Sequence, residues 1–226
     1  MADLQRQLIA LSDGKYADFQ AKLLPTIPRE TVIGVRVPIL RSFAADYAKT
    51  ADCAAFLAAL PHQTYDENLL HALLLNRIGN FDECVTKVAA FLPYIDNWAV
   101  CDLLRPRVFA KERERLLPLV KAWISSPADY TCRFGIEMLM THYLTDAFCA
   151  DDLALPARVN NDAYYVQMMV AWFFATALAL QWNDTLPYLE QNILPIWTHN
   201  KAIQKAVESR RLTQEQKGAL RELKRK

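Results

Sequence analysis

Only 5 glycines occur in 226 residues, against 11 prolines. Few left-handed or very tight turns are therefore available, and the prolines supply sharp stops between long elements. No CxxC pair, HExxH, GxxxxGK[ST] or GxGxxG is present, so zinc, nucleotide and dinucleotide chemistry have no foothold. Five cysteines (Cys53, Cys84, Cys101, Cys132, Cys149) and four histidines (His62, His71, His142, His199) are scattered without ligand spacing. Reduced core thiols, no metal and no cofactor are the expectation. The opening "MADLQRQLIALSDGKY" lacks a basic segment followed by an apolar core, so a cytoplasmic chain is expected. One long apolar run exists, "AYYVQMMVAWFFATALALQW" at 163–182. Gln167 interrupts it and no basic residue abuts it, which favours a central buried helix over a membrane span.

What is present is hydrophobic and patterned. Apolar residues make up 53% of the chain and charged residues 23%, the balance of a folded protein. Net charge is only +1, yet residues 198–226 hold nine Lys or Arg and three Glu, on a body with more acidic than basic residues. A basic end of this kind fits either a polyanion partner, through counterion release, or a solvated terminal helix.

Apolar positions recur at helical spacing, as in Leu116, Leu117, Val120, Trp123 and Ile124, and no segment alternates like a strand. Residues 1–60 read as three or four short helices. From residue 65 the pattern gives helix pairs at 65–79 with 81–91, 97–109 with 111–125, 129–144 with 147–155, 163–182 with 184–194, and 198–210 with 213–225. The pairs start 32 to 35 residues apart, with "GNFDE", "SSPAD", "NND" and "WND" at the breaks. The expectation is all-α: one domain, 1–226, forming an α-solenoid of helical repeats, since each pair buries its face only by stacking on the next.

Several side chains then fall on first helices of successive pairs: Trp98 and Asp102, Arg133, Trp172, and Lys201 with Lys205. In a solenoid such helices line one surface, so these residues are expected to share a concave groove. Trp98 and Asp102, four apart, are neighbours on a helix surface. Each also has a plain structural reading, as core aromatic, surface acid or salt-bridge partner. In "IGVRVPILRSF", Gly34 permits a tight turn, Pro38 suits a helix start, and Arg36 and Arg41 flank it. Phosphate capture there and a simple structural loop both fit.

The pieces "GVRVPILR", "DNWAVCD", "YTCRFGIEML", "YYVQMMVAW" and "HNKAIQKAVESRRL", in that order, resemble the HEAT-repeat DNA alkylation repair proteins, the AlkD-like DNA glycosylases. The resemblance implies a right-handed superhelix whose basic concave face grips double-stranded DNA containing alkylated bases. It implies that Asp102, Trp98, Trp172 and Arg133 surround the damaged nucleotide, and that Arg36, Arg41, Lys201, Lys205, Arg210 and Arg211 hold DNA. The implied activity is hydrolysis of the N-glycosidic bond of N3-methyladenine and N7-methylguanine by a monomer, without a nucleotide cofactor or a membrane. The family's tyrosine ahead of the glycine turn has no clear counterpart: Tyr16 lies well upstream of Gly34, and Gln20 stands nearer. Two alternatives stay open, a noncatalytic binder of branched or structured DNA and a protein-binding helical scaffold.

Overall fold

The computed structural model describes residues 2–226, and among these every regular element is helical. The first half runs α1 (Ala2–Ala10), α2 (Gly14–Leu23), α3 (Val37–Tyr47), α4 (Asp52–Ala58), α5 (Tyr65–Leu75), α6 (Phe81–Phe91) and α7 (Trp98–Leu103). The second half runs α8 (Arg113–Ile124), α9 (Asp129–Tyr143), α10 (Ala154–Ala157), α11 (Tyr164–Leu180), α12 (Trp182–Glu190), α13 (Ile196–Glu208) and α14 (Gln214–Glu222). Two compact units result, one ending at Glu112 and the other running from Arg113 to Lys226.

In the first unit α5 is the central helix. Every residue from Tyr65 to Leu75 except Asn68 is buried, and α3, α6 and α7 pack around it. Its start is fixed by a capping box: the Thr64 hydroxyl accepts from the Glu67 amide while the Glu67 carboxylate accepts from the Thr64 amide at 2.9 Å. Asn80, Asn97 and Asp13 cap α6, α7 and α2 in the same side-chain-to-backbone manner.

A ladder of stacked rings fills the space between α4, α5 and α6. Phe56 stacks on His62 at 4.3 Å between centroids, and His71 stacks on Phe91 at 4.0 Å. His62 Nε2 and His71 Nδ1 lie 2.7 Å apart, so one ring donates the single hydrogen and the other accepts it. Burial is the main cause that holds both imidazoles below their ordinary pKa, that of His71 the further.

In the second unit α11 is the hub, packed against α9, α12 and α13, with α8 against α9. Its buried residues, among them Val166, Met169, Phe173, Phe174 and Leu178, point to several sides of the helix, which is the environment expected of the apolar run. No helix among the described residues is long and apolar enough to cross a membrane. Gly135 in α9 lets that helix approach α8 closely: a Cβ there would sit 2.6 Å from the Ile124 amide nitrogen. Cys84, Cys101 and Cys132 are buried, Cys53 is partly buried and Cys149 is exposed. Burial pushes the Cys84 thiol up to about 12 and the Cys132 thiol up to about 11.

Two expected helices are shorter than their pattern. The segment 97–109 stops at Leu103 and resumes as a 3-10 turn at Arg107–Lys111, because Pro106 has no amide hydrogen and forces extended backbone before it. The segment 147–155 is a 3-10 turn, Ala150–Leu153, running into the four-residue α10. The other expected helices are present with their ends shifted by up to four residues, as in α5, which ends at Leu75, and α12, which ends at Glu190; helices begin at Tyr65, Trp98, Asp129, Tyr164 and Ile196.

The ring ladder generates a testable pH dependence. An unfolded chain protonates both histidines below about pH 6.5 while the folded chain withholds those protons, so stability present above that pH falls as acid is added. Urea titrations should show unfolding free energy declining by about 1.4 kcal/mol per pH unit for each withheld proton, and His71→Asn should flatten that decline.

Candidate functional site

Three backbone amides and one buried carboxylate anchor one wall of the site. The buried Asp66 side chain, in the first turn of α5, accepts hydrogen bonds from Ile33 N (2.7 Å), Gly34 N (3.1 Å) and Val35 N (2.7 Å). Desolvation raises the Asp66 pKa, and the bonds from Val35, Gly34 and Ile33 oppose that rise. Gly34 sits at φ 93°, and a Cβ there would meet Ala17 Cβ at 2.6 Å and Asp13 O at 2.7 Å, so only glycine fits. The turn in addition accepts a bond from Asp13 N to Gly34 O at 3.0 Å, which brings the start of α2 beside it.

From this anchor two groups take position. Arg36 occupies the residue before α3, with Pro38 in that helix's first turn, and its side chain pairs with Asp13 through two bonds of 2.7 and 3.1 Å. The Arg36 guanidinium holds the Asp13 carboxyl below its ordinary pKa and lies 4.9 Å above the centre of the Tyr16 ring. Arg41 is exposed on α3.

The far wall is α7, a helix of six residues secured at both ends. The Asn97 side chain accepts from Val100 N at 2.9 Å. At the other end Asn76 donates to Leu103 O at 2.8 Å and accepts from Arg105 N at 2.6 Å. With Val100 and Cys101 buried, Trp98, Ala99, Asp102 and Leu103 face the opposite side. Together with Tyr16 and Gln20 of α2, Val37 of α3, and Tyr65 and Leu69 of α5, they line an open cavity of about 250 Å3. The Trp98 indole N–H donates to the Leu23 carbonyl at 3.4 Å. Burial raises the pKa of Tyr16 and of Tyr65, so both phenols stay neutral. The cavity thus offers one half-buried carboxylate, an indole and two neutral phenols, an arrangement suited to a flat, positively charged group.

Tyr16 is a lining residue that sequence spacing passed over. It stands 18 positions before Gly34, but the Asp13–Gly34 bond folds that distance away. A legible signal existed in Asp13, which has the residue type of a helix cap three places before Tyr16 and opposite charge to Arg36.

In the second unit, Trp172 on α11 is 38% exposed, whereas Arg133 on α9 is 3% exposed and its Nη1 donates to Tyr165 O at 2.6 Å. The guanidinium thereby braces α9 against the first turn of α11. Lys201 and Lys205 are half-exposed on α13, and Arg210 and Arg211 are exposed beyond it.

A family model described as DNA alkylation repair enzyme matches residues 4–205. The chain belongs to that family. Comparisons with curated proteins and with solved structures give no match. Membership makes this DNA alkylation repair protein an enzyme of repair with DNA as its substrate. Its family segment takes in both α7, with Trp98 and Asp102, and the Gly34 turn.

The turn at Gly34 depends on Asp66. Asp66→Ala leaves three amides without their acceptor, and chemical unfolding should register a loss of about 3 kcal/mol or more. Asp66→Asn, which keeps one accepting oxygen, should lose less.

Proposed function

We propose that the chain is a monofunctional DNA glycosylase that removes cationic alkylpurines, N3-methyladenine and N7-methylguanine, from duplex DNA. The observation that carries this reading is the shared cavity of Asp102, Trp98 and Tyr16. Glycosidic cleavage leaves positive charge on the sugar, and glycosidases ordinarily use one carboxylate to steady that charge and a second group to protonate the leaving group. An alkylated purine already carries a positive charge. Its bond to C1′ breaks with the electron pair going to the base, which departs neutral, so no acid is needed and one carboxylate suffices.

Asp102 faces the developing oxocarbenium ion and orients the water that adds to C1′, and the proton of that water passes to the carboxylate or to solvent. Trp98, pinned through its indole N–H, presents its ring to the cationic nucleotide. Tyr16 lines the same cavity beneath the Arg36 guanidinium. Trp172 is assigned a second aromatic contact with the nucleotide. Arg133, which also donates to Tyr165 O at the start of α11, is assigned to the phosphate beside the damaged nucleotide. Arg36, Arg41, Lys201, Lys205, Arg210 and Arg211 are assigned to the DNA backbone.

The reading includes a right-handed α-solenoid of HEAT-like repeats with a concave DNA face. Packing within the second unit supports it, since α11 lies against both α9 and α13, the first helices of neighbouring pairs.

Methylated duplex DNA incubated with the protein should release 7-methylguanine or 3-methyladenine. Asp102→Asn should slow release by about 100-fold or more while leaving duplex affinity nearly intact. Equally slow release by wild type and variant would leave a noncatalytic DNA binder. Lys201→Ala with Lys205→Ala should weaken binding irrespective of sequence and flatten the log–log salt slope by about 0.9 for each phosphate that is no longer neutralised; unchanged affinity would take α13 out of the DNA footprint.

A further inference from the structure

The second unit has an open cavity of its own, of about 440 Å3, lined by Ile196, Trp197, Asn200, Lys201, Gln204 and Lys224. Its apolar part is unusual for a surface: Ile196 is 44% exposed and Trp197 36%, side by side in the first turn of α13. Tyr164, 56% exposed at the start of α11, meets the Trp197 ring edge-on at 5.6 Å and holds its angle.

The cationic part is positioned as firmly. Lys201 Nζ lies 5.6 Å from the centre of the Trp197 ring and donates to Gln204 Oε1 at 2.9 Å. The Gln204 amide in turn donates to Glu208 at 3.0 Å. Lys224 reaches the cavity because the C-terminal segment is fastened to α13. The His199 ring donates through Nε2 to Leu223 O at 2.7 Å, and Asn200 donates to Arg225 O and accepts from Arg225 N at 2.8 and 2.9 Å. The Arg225 guanidinium closes the fastening with a bond to Leu194 O at 3.0 Å.

An indole face beside two ammonium groups has a specific complement: a flat neutral ring joined to an anion. We propose that this cavity binds one unpaired deoxynucleotide, the base stacked on Trp197 and against Ile196, and the phosphate on Lys201 and Lys224. The base must be unpaired, because both faces of a base inside a duplex are covered by its neighbours. Stacking is tolerant of base identity, so the site takes frayed, extruded or single-stranded nucleotides of any sequence. For DNA as the polymer, the inference rests on the reading proposed above.

Fluorescence anisotropy with two unmodified duplexes of equal length, one blunt and one with a four-nucleotide single-stranded overhang, tests the assignment at a fixed salt concentration. Wild type should bind the overhang duplex about tenfold more tightly. Trp197→Ala should abolish that preference, Trp197→Phe should restore part of it, and Lys224→Ala should reduce it in a salt-dependent manner. Circular dichroism monitors folding, and if Trp197→Ala unfolds, the Phe and Lys224 variants carry the test. A preference that survives in folded Trp197→Ala, or a loss equal on both duplexes, overturns the proposal. Base release from a blunt methylated duplex is scored separately: absent release with an intact overhang preference overturns the glycosylase reading alone.

Discussion

The carboxylate of Asp66, buried and satisfied by consecutive backbone amides, is the interaction on which the first unit is arranged. An ionised side chain inside a protein costs several kcal/mol unless dipoles replace the lost water. Here the amides of residues 33–35 replace it, and they can converge only because Gly34 adopts a left-handed conformation. The turn and the acid therefore require each other. Once they meet, α2, α3 and α5 have one mutual arrangement, and Tyr16, Val37, Tyr65 and Leu69 arrive at a common wall.

The opposite wall follows a different logic. A helix of six residues has little stability of its own, and α7 persists because asparagines at its two ends take up backbone groups that its short length leaves unbonded. The side chains that face the cavity thus sit on an element held by polar locks, with a buried apolar back formed by Val100 and Cys101. Such mounting suits a group that must keep a fixed orientation while charge develops nearby.

Much of this was legible in the chain itself, for identifiable reasons. Helix pairs were visible because their apolar faces repeat at one period and their breaks carry Asx or proline chemistry. Trp98 and Asp102 share a face because a spacing of four dictates it within a single helix. The sequence did not reveal the truncation of α7 at Leu103, where a proline shortly past the boundary and the distant Asn76 override an apolar pattern that runs on. Nor did it reveal Tyr16, because proximity there depends on a backbone bond between Asp13 and Gly34, far apart along the chain. Nor did it reveal that the buried Arg133 donates to a carbonyl at the start of a neighbouring helix, a bond between residues 32 positions apart.

The placement of the thiols has a further consequence. Proteins that meet alkylating agents are themselves exposed to electrophiles, and the most nucleophilic group a protein offers them is a thiolate. Cys84 and Cys132 are enclosed and kept protonated by burial, and Cys53 is shifted in the same direction. These sulfurs are poor targets for the class of chemical whose damage the family repairs, and the exposed Cys149 is the thiol that packing leaves open to it.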